Sequence, residues 1–95
     1  MGDSVKLAVI RCLQEALTNA KKHGNAKQID VSLRYINGDI ELIVKDNGEG
    51  ASRLIPGFGV ESMKDRIESV GGKFEIVSSP SEGTIVYCQV PVRGG

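Results

Sequence analysis

The sequence "IDVSLRYINGDIELIVKD" at residues 29–46 alternates apolar and polar side chains on both sides of an Asn-Gly pair. The alternating apolar residues are Ile29, Val31, Leu33, Tyr35, Ile40, Leu42 and Val44. Such alternation predicts half-buried β-strands, and Asn37-Gly38 is the strongest short signal for a two-residue hairpin turn. The stretch therefore predicts two antiparallel strands joined by a tight turn.

A helix is predicted on each side of this hairpin. Before it, from Asp3 to His23, apolar residues recur at steps of three and four, and Gly24 is a typical residue for the end of a helix. His23 is therefore predicted as the last helical residue. After it, apolar residues with the same spacing predict a second helix from Val60 to Val70, which stops at Gly71-Gly72.

Two more strands complete the pattern. Phe74 and Ile76 mark a third strand, "SSPSEG" a turn, and "TIVYCQV" a fourth strand that Pro91 is expected to stop. The order α, β, β, α, β, β groups the strands in pairs. This grouping favours an α+β sandwich with helices on one sheet face over an alternating doubly wound fold. Residues 1–95 are long enough for one compact domain.

Composition argues against several classes of function. Twelve basic residues balance twelve acidic ones, so the chain lacks the positive field of a nucleic-acid-binding protein. Cys12, Cys88 and His23 are too few and too far apart in sequence for a structural zinc site. Their spacing also shows no geometry for nucleophilic catalysis. No apolar run is long enough for a membrane span, so we expect a cytoplasmic domain, whether or not a parent protein is membrane-anchored.

Four polar residues share one flank of the first predicted helix. Glu15 and Asn19 are four residues apart, and Lys22 and His23 follow three and four residues later. An amide oxygen suits magnesium, a carboxylate can accept a proton from water, and an ammonium group can meet phosphate. The alternative is an ordinary solvated helix face.

A glycine-rich segment, "DNGEGASRLIPGFG" at residues 46–59, separates the hairpin from the second helix. Glycine lets backbone approach a flat ligand closely, and the N–H groups at a helix start suit phosphate. The alternative for Asp46 and its neighbours is a common turn. The segment is not a P-loop, and "GFGVES" follows a loop where a dinucleotide fold requires a buried strand.

These motifs together resemble those of the Bergerat-type ATPases. "QEALTNAKKHGNAKQI" resembles the N box, "DNGEG" and "GFGVESMKDRIESVGG" resemble two glycine boxes, and Gly83-Thr84 resembles the last small motif. The sequence is most similar to the catalytic domains of nitrate-response-type sensor histidine kinases. The resemblance implies the Bergerat ATP-binding fold, a two-layer sandwich with helices packed on one face of a mixed sheet.

The resemblance also implies that the domain binds ATP and Mg²⁺. Asn19 would bind the magnesium that bridges the phosphates, and Lys22 would approach those phosphates, with His23 in a supporting position. Glu15 matches the position where hydrolysing relatives hold the glutamate that activates water. These two residues, Glu15 and Asn19, are the candidate catalytic residues.

On the adenine side, the resemblance implies that Asp46 accepts a hydrogen bond from the exocyclic amine and that the Thr84 hydroxyl lies nearby. Gly48 and Gly50 would let the ring lie against backbone. Met63 has the helical phase of a core residue, although it could also line the adenine pocket. The remaining implied phosphate-binding residues are Gly57, Phe58, Gly59 and Val60.

The resemblance implies partners that this sequence does not contain. Sensor kinases phosphorylate a histidine on a separate helical dimerisation domain and then pass the phosphoryl group to a response regulator. The sole histidine, His23, ends a helix with no accompanying helical hairpin, so the chain is expected to be a monomeric fragment of a longer kinase. An anti-sigma-factor serine kinase of the same fold, a non-catalytic nucleotide-binding module and an interaction domain remain as alternatives.

Overall fold

The chain folds in the order α-β-β-α-β-β, and the computed structural model describes residues 3–22, 26–48, 60–79 and 83–92. The helices are α1 (Asp3–Lys22) and α2 (Val60–Ser69). The strands are β1 (Ile29–Ile36), β2 (Asp39–Asp46), β3 (Lys73–Ser79) and β4 (Gly83–Pro91). The predicted elements and their order are confirmed.

The four strands form one sheet in the order β1-β2-β4-β3, and all three pairings are antiparallel. The α+β class with helices on one sheet face is confirmed, but the prediction of a mixed sheet is wrong. β2 and β3 run in the same direction. Strands with this relation need a long crossover connection, which here contains α2. The two strands are not neighbours, because β4 lies between them, so the four strands that the structure describes include no parallel pair.

The hairpin between β1 and β2 has the turn that its sequence predicts. Asn37 and Gly38 have φ angles of 52° and 84°, and Ile36 pairs with Asp39 across the turn. Positive φ at both central residues defines a type I′ turn, whose twist matches that of the flanking strands. This turn fixes the register of β1 on β2.

β4 continues through Pro91, although proline is expected to stop it. Pro91 lies opposite Asp39, and the next amide, Val92 N, donates to Gly38 O over 3.0 Å. This pattern makes Asp39 and Pro91 a non-hydrogen-bonded pair, so the proline nitrogen faces away from β2. On that other side β3 begins only opposite Gln89. No ladder hydrogen bond is lost there, which is why proline fits.

The helices pack over the middle of the sheet and leave one edge outside their layer. α1 packs on β2 and β4, and α2 packs on β3 and α1. The fully buried side chains of largest volume lie between the layers: Leu42, Met63, Ile67, Val44, Val90, Cys12 and Cys88. The opposite sheet face is mixed: Gln89 Nε2 donates to Asp39 Oδ2 over 2.7 Å, and the apolar pair Val77 and Ile85 is exposed. β1 lies at the edge, and three of its helix-side residues, Val31, Leu33 and Tyr35, are exposed.

Candidate functional site

Three polar side chains are buried in the part of the chain that the structure describes, and each is a predicted site residue. Asn19 is 8% exposed, Asp46 is 6% exposed and Thr84 is 4% exposed. Burying a polar group is unfavourable unless it is hydrogen bonded, so apolar side chains would stabilise these core positions more simply. Their burial marks the ends of α1, β2 and β4 as the region to examine.

Asp46 is the last residue of β2, and the backbone that follows it holds its carboxylate. Gly48 N donates to Asp46 Oδ1 over 2.8 Å, and Gly48 is itself buried. An aspartate that accepts from the amide two residues later forms an Asx turn. The turn therefore orients the carboxylate as well as ending the strand.

Thr84 lies directly beside Asp46. The register pairs Asp46 with Thr84 and Thr84 with Ser78, so the three side chains form a row across β2, β4 and β3 on the helix side of the sheet. Directly opposed residues have Cβ atoms about 5 Å apart. The Oγ atoms of Ser78 and Thr84 are 3.0 Å apart. The fold thus brings together the two residues predicted for adenine and adds Ser78, which the sequence did not indicate.

Gly83 explains why the last motif needs a glycine. Its φ angle is 96°, and a Cβ atom built there would overlap the backbone carbonyl oxygen of Asp46. Only glycine combines this conformation with so close an approach. The start of β4 therefore lies tightly against the end of β2, next to the Asp46 side chain.

Asn47 ties the end of β2 to the segment before β1. The side-chain Oδ1 of Asn47 accepts from Lys27 N over 2.9 Å and from Gln28 N over 3.0 Å. The backbone N–H of Asn47 donates to Gln28 O over 3.2 Å. The sequence places Asn47 only in a turn, because its partners are about twenty residues away. Its side chain holds the backbone that carries Asp46.

On α1, Glu15 is exposed and Asn19 is buried, one turn apart. Glu15 lies in a cleft between the two helices, and the lining residues are Arg11, Cys12, Glu15, Ser62, Met63 and Arg66. Ser62 is in the first turn of α2, so the fold brings Glu15 towards the N-terminal half of that helix. Arg11 and Arg66 are cationic neighbours that the sequence analysis did not single out.

For two further predicted site residues, Lys22 and Val60, the structure gives the backbone position in a helix. Lys22 is the last residue of α1, and Val60 is the first residue of α2. The helix start expected after the glycine pair is therefore present. The predictions for five residues lie outside the described part of the chain: His23, Gly50, Gly57, Phe58 and Gly59.

The two cysteines meet in the core, although their sequence spacing suggested no such geometry. Cys12 Sγ lies 4.0 Å from Met63 Sδ, and all three sulfur-containing side chains are buried. A hydrogen bond with Cys88, together with burial, raises the pKa of the Cys12 thiol. A thiol that stays protonated is a poor nucleophile. These residues pack the interface of α1, α2 and β4, and Met63 occupies the core position that its helical phase predicts.

Within residues 3–22, 26–48, 60–79 and 83–92, no group of three or more His, Cys, Asp or Glu side chains could hold a metal ion. The described helices also include none with the length and hydropathy of a membrane span.

The chain is similar to bacterial sensor kinases over most of its length. It is 39% identical over 86 residues to the sensor histidine kinase LnrJ of Bacillus subtilis, covering 90% of this chain and 22% of that protein. It is 34% identical over 87 residues to the sensor histidine kinase LiaS of the same organism, covering 88% and 24%. The chain thus spans about a quarter of the length of these curated relatives.

Solved structures share the fold at lower identity. The histidine kinase domain of a blue-light-activated kinase from Erythrobacter litoralis has a TM-score of 0.78 and 18% identity, covering 94% of this chain and 45% of that one. The ATP-binding domain of PrrB from Mycobacterium tuberculosis has a TM-score of 0.76 and 21% identity, covering 93% and 69%. At these identities the similarity shows the fold alone.

A family model places this chain more directly. The model described as "Histidine kinase-, DNA gyrase B-, and HSP90-like ATPase" matches residues 4–94. That range includes α1 except its first residue, α2, all four strands and the buried polar row at the ends of β2 and β4. The chain belongs to the family of histidine kinase-, DNA gyrase B- and HSP90-like ATPases.

Proposed function

We propose that this chain is the ATP-binding catalytic part of a longer sensor histidine kinase. It would bind ATP and Mg²⁺ and donate the γ-phosphoryl group to a histidine on a separate helical dimerisation domain, which then passes it to a response regulator. The names of its relatives and their greater length support this proposal. The observation that carries it is the buried Asp46 and Thr84 pair at the sheet end, enclosed by two glycines.

In this proposal Asp46 recognises adenine. An ionised carboxylate only accepts hydrogen bonds, so it suits the amino group of adenine and disfavours the carbonyl group that guanine presents at the same position. Gly48 N fixes Oδ1, and the Thr84 hydroxyl lies beside it as a second polar group. Without side chains, Gly48 and Gly50 would let the ring approach the backbone.

The phosphates would lie towards α1 and the start of α2. Asn19 would supply one amide oxygen to Mg²⁺, and Lys22 would add a positive charge. The N–H groups at Val60 and the glycines before it would bind phosphate oxygens at the positive end of the α2 dipole. Bound Mg²⁺ would neutralise charge on the phosphates, and the protein would contribute mainly positioning. Glu15 is a candidate to orient or deprotonate the attacking group.

The test is ATP binding by calorimetry with Asp46→Asn. Asparagine keeps an oxygen that can accept from Gly48 N, so the Asx turn is retained while the charge is lost. A hydrogen bond to a charged group contributes roughly 1.5–3 kcal/mol, so the ATP dissociation constant should rise about tenfold to a hundredfold. Asp65→Asn removes a carboxylate from the exposed surface of α2 and is the control. Unchanged ATP affinity in a folded Asp46→Asn variant would refute the adenine assignment.

Phosphoryl transfer needs a second test. With labelled ATP and Mg²⁺ the chain alone should remain unlabelled, because the proposed phosphoacceptor histidine belongs to a separate helical domain and not to this chain, whose sole histidine is His23. A helical dimerisation domain carrying the phosphoacceptor histidine should become labelled, faster at higher concentration because the two pieces are not tethered. Acid-labile label on His23 would contradict this assignment. Acid-stable label on a serine-bearing antagonist would favour the anti-sigma-factor kinase.

A further inference from the structure

Three sulfur-containing side chains from three different elements meet in the core. Cys12 comes from α1, Met63 from α2 and Cys88 from β4, and all three are buried. Cys12 Sγ lies 4.0 Å from Met63 Sδ, and the Cys12 thiol also forms a hydrogen bond with Cys88. Cys12 therefore contacts both other sulfur groups. Two thiols and a thioether are soft ligands, which are the ligands that select Cu(I).

The separation of two of these sulfur atoms matches that of two ligands on one metal ion. Thiolate sulfur binds a first-row metal such as zinc at about 2.3 Å, and at that distance two ligands of a trigonal ion are about 4.0 Å apart. The distance between Cys12 Sγ and Met63 Sδ is 4.0 Å. Sulfur atoms in ordinary contact have a similar separation, so the distance permits an ion without requiring one. An ion could therefore bind here without forcing α1 and α2 apart.

A cleft between the two helices leads to the sulfur atoms. Its lining residues are Arg11, Cys12, Glu15, Ser62, Met63 and Arg66. Its volume is about 80 Å³, which is enough for a few water molecules or a small ion but well below the roughly 300 Å³ of small-molecule pockets. Cys12 and Met63 are buried and yet line this cleft, so they lie at its inner end. The cleft is a path by which an ion can reach them.

We propose that Cys12, Met63 and Cys88 bind one Cu(I) ion, which enters through the cleft between α1 and α2. The two thiols lose their protons to solvent and bond to copper as thiolates, and the thioether of Met63 is the third ligand. Copper remains Cu(I), so the step needs no oxidant or reductant. One Cu(I) and two thiolates carry one net negative charge. Arg11 and Arg66 outnumber Glu15 along the cleft and favour that charge.

The ligand set favours Cu(I) over zinc and magnesium. Structural zinc sites use four ligands, commonly Cys and His, and within the described ranges no third Cys, His, Asp or Glu side chain joins the two cysteines. Magnesium requires oxygen ligands, which this cluster does not offer. The proposal does not depend on ATP binding. The alternative is that the three side chains only pack the core, and the experiments below separate the two.

Competition with the coloured chelator bicinchoninate measures Cu(I) binding to the reduced protein under nitrogen. The native chain should remove one Cu(I) per chain from the chelator and show ultraviolet absorption from thiolate-to-copper charge transfer. Met63→Leu keeps a similar side-chain volume and removes the sulfur. Groups that only orient metal ligands already change affinity by about tenfold to a hundredfold, so loss of a ligand should raise the Cu(I) dissociation constant at least tenfold. Unchanged Cu(I) affinity in Met63→Leu would overturn the site.

Ile67→Val is the matched control. Ile67 lies one turn after Met63 on α2 and is also fully buried, so this substitution is a mild core change that removes no sulfur. It should bind Cu(I) as tightly as the native chain. If Ile67→Val weakened Cu(I) binding as much as Met63→Leu, disturbance of the core would explain both results and the thioether would not be a ligand.

Thermal unfolding distinguishes a site in the folded chain from capture of Cu(I) by the thiols of the unfolded chain. A ligand that binds only the folded state raises Tm, and one that prefers the unfolded state lowers it. Cu(I) should raise the Tm of the native chain and of Ile67→Val, and raise that of Met63→Leu less. Zn(II) should bind the native chain at least tenfold more weakly than Cu(I). A fall in Tm with Cu(I), or tighter binding of Zn(II), would overturn the proposal and leave the three side chains as core packing.

Discussion

Three glycines make a matched series that separates backbone strain from close packing. Gly71 has a φ angle of 81°, but an added Cβ would be in ordinary contact, 3.7 Å from Pro91 Cγ. Gly72 has no positive φ, but its Cβ would lie 2.7 Å from Gln89 O and 2.8 Å from Ile67 Cγ2. Gly83 combines both features, since its φ angle is 96° and its Cβ would overlap the Asp46 carbonyl.

These differences predict the order of stability loss on substitution by alanine. Gly71→Ala should lower the free energy of unfolding by about 1–2 kcal/mol, the usual penalty for a left-handed L-residue. Gly72→Ala should lower it by roughly 1–3 kcal/mol through overpacking. Gly83→Ala has both penalties and should lose about 2–5 kcal/mol. Each kcal/mol corresponds to a fall in Tm of about 4–8 °C in a domain of this size.

Urea denaturation and ATP titration of the three variants make the measurement. Because the Gly83 clash is with the backbone of Asp46, Gly83→Ala should weaken ATP binding even at temperatures where it is fully folded. Gly72→Ala should keep the native ATP affinity, since its neighbours Gln89, Ile67 and Val90 are not proposed to bind ATP. If Gly83→Ala lost no more stability than Gly71→Ala, the close approach of β4 to Asp46 would be wrong. If all three bound ATP equally, Asp46 would not be part of the site.

Three further predictions address single side chains. Asn19→Ala should abolish most of the magnesium-dependent part of ATP affinity. If the effect of magnesium on ATP affinity were unchanged, the polar flank of α1 would be only a solvated helix face. Ser78→Ala should lower the free energy of unfolding by about 1 kcal/mol by removing its hydrogen bond with Thr84, which a double-mutant cycle with Thr84→Val can check. The hydrogen bond between the two cysteines raises the pKa of Cys12 and lowers that of Cys88, so the contribution of Cys12 to stability is constant below about pH 9 and falls at higher pH, where the unfolded thiol ionises, while the contribution of Cys88 has the opposite sign. Between about pH 8 and 10 the urea midpoint of the native chain should therefore change with pH differently from that of Cys12→Ala, and parallel pH profiles of the two proteins would contradict the raised pKa of Cys12.

The elements of the fold could be predicted from the sequence because their signals are local. The turn at Asn37-Gly38 specifies its own φ angles. At the end of α2, Gly71 N donates to Glu68 O and Gly72 N donates to Ile67 O, both over 3.0 Å, which is the Schellman motif that a Gly-Gly pair favours. Only these residues and their near neighbours are involved. Each of these local structures therefore forms largely independently of the tertiary contacts made by the rest of the chain.

The sheet order and the contacts across it could not be predicted in the same way. The alternation in β1 predicts one apolar face, but not that this strand would lie beyond the helices. The meeting of Cys12 with Cys88 depends on α1 packing over β4, which brings together residues far apart in sequence. The same is true of Ser78 and Thr84, whose polar row exists only once β3 and β4 are paired. These features depend on pairing between residues far apart in sequence, which local secondary-structure propensity does not specify.

At the candidate site, local sequence signals and long-range contacts both determine the position of one residue, Asp46. Asp46 ends β2, and its side chain accepts from Gly48 N, an interaction that its local Asp-Asn-Gly sequence favours. Its backbone carbonyl lies against Gly83, and its neighbour Asn47 binds the backbone before β1, two contacts that only the fold creates. A side chain that is held by its own loop, on a backbone anchored by β4 and by the segment before β1, loses little freedom when a ligand binds. Such preorganisation is what a group must have if it is to distinguish adenine from guanine by one hydrogen bond.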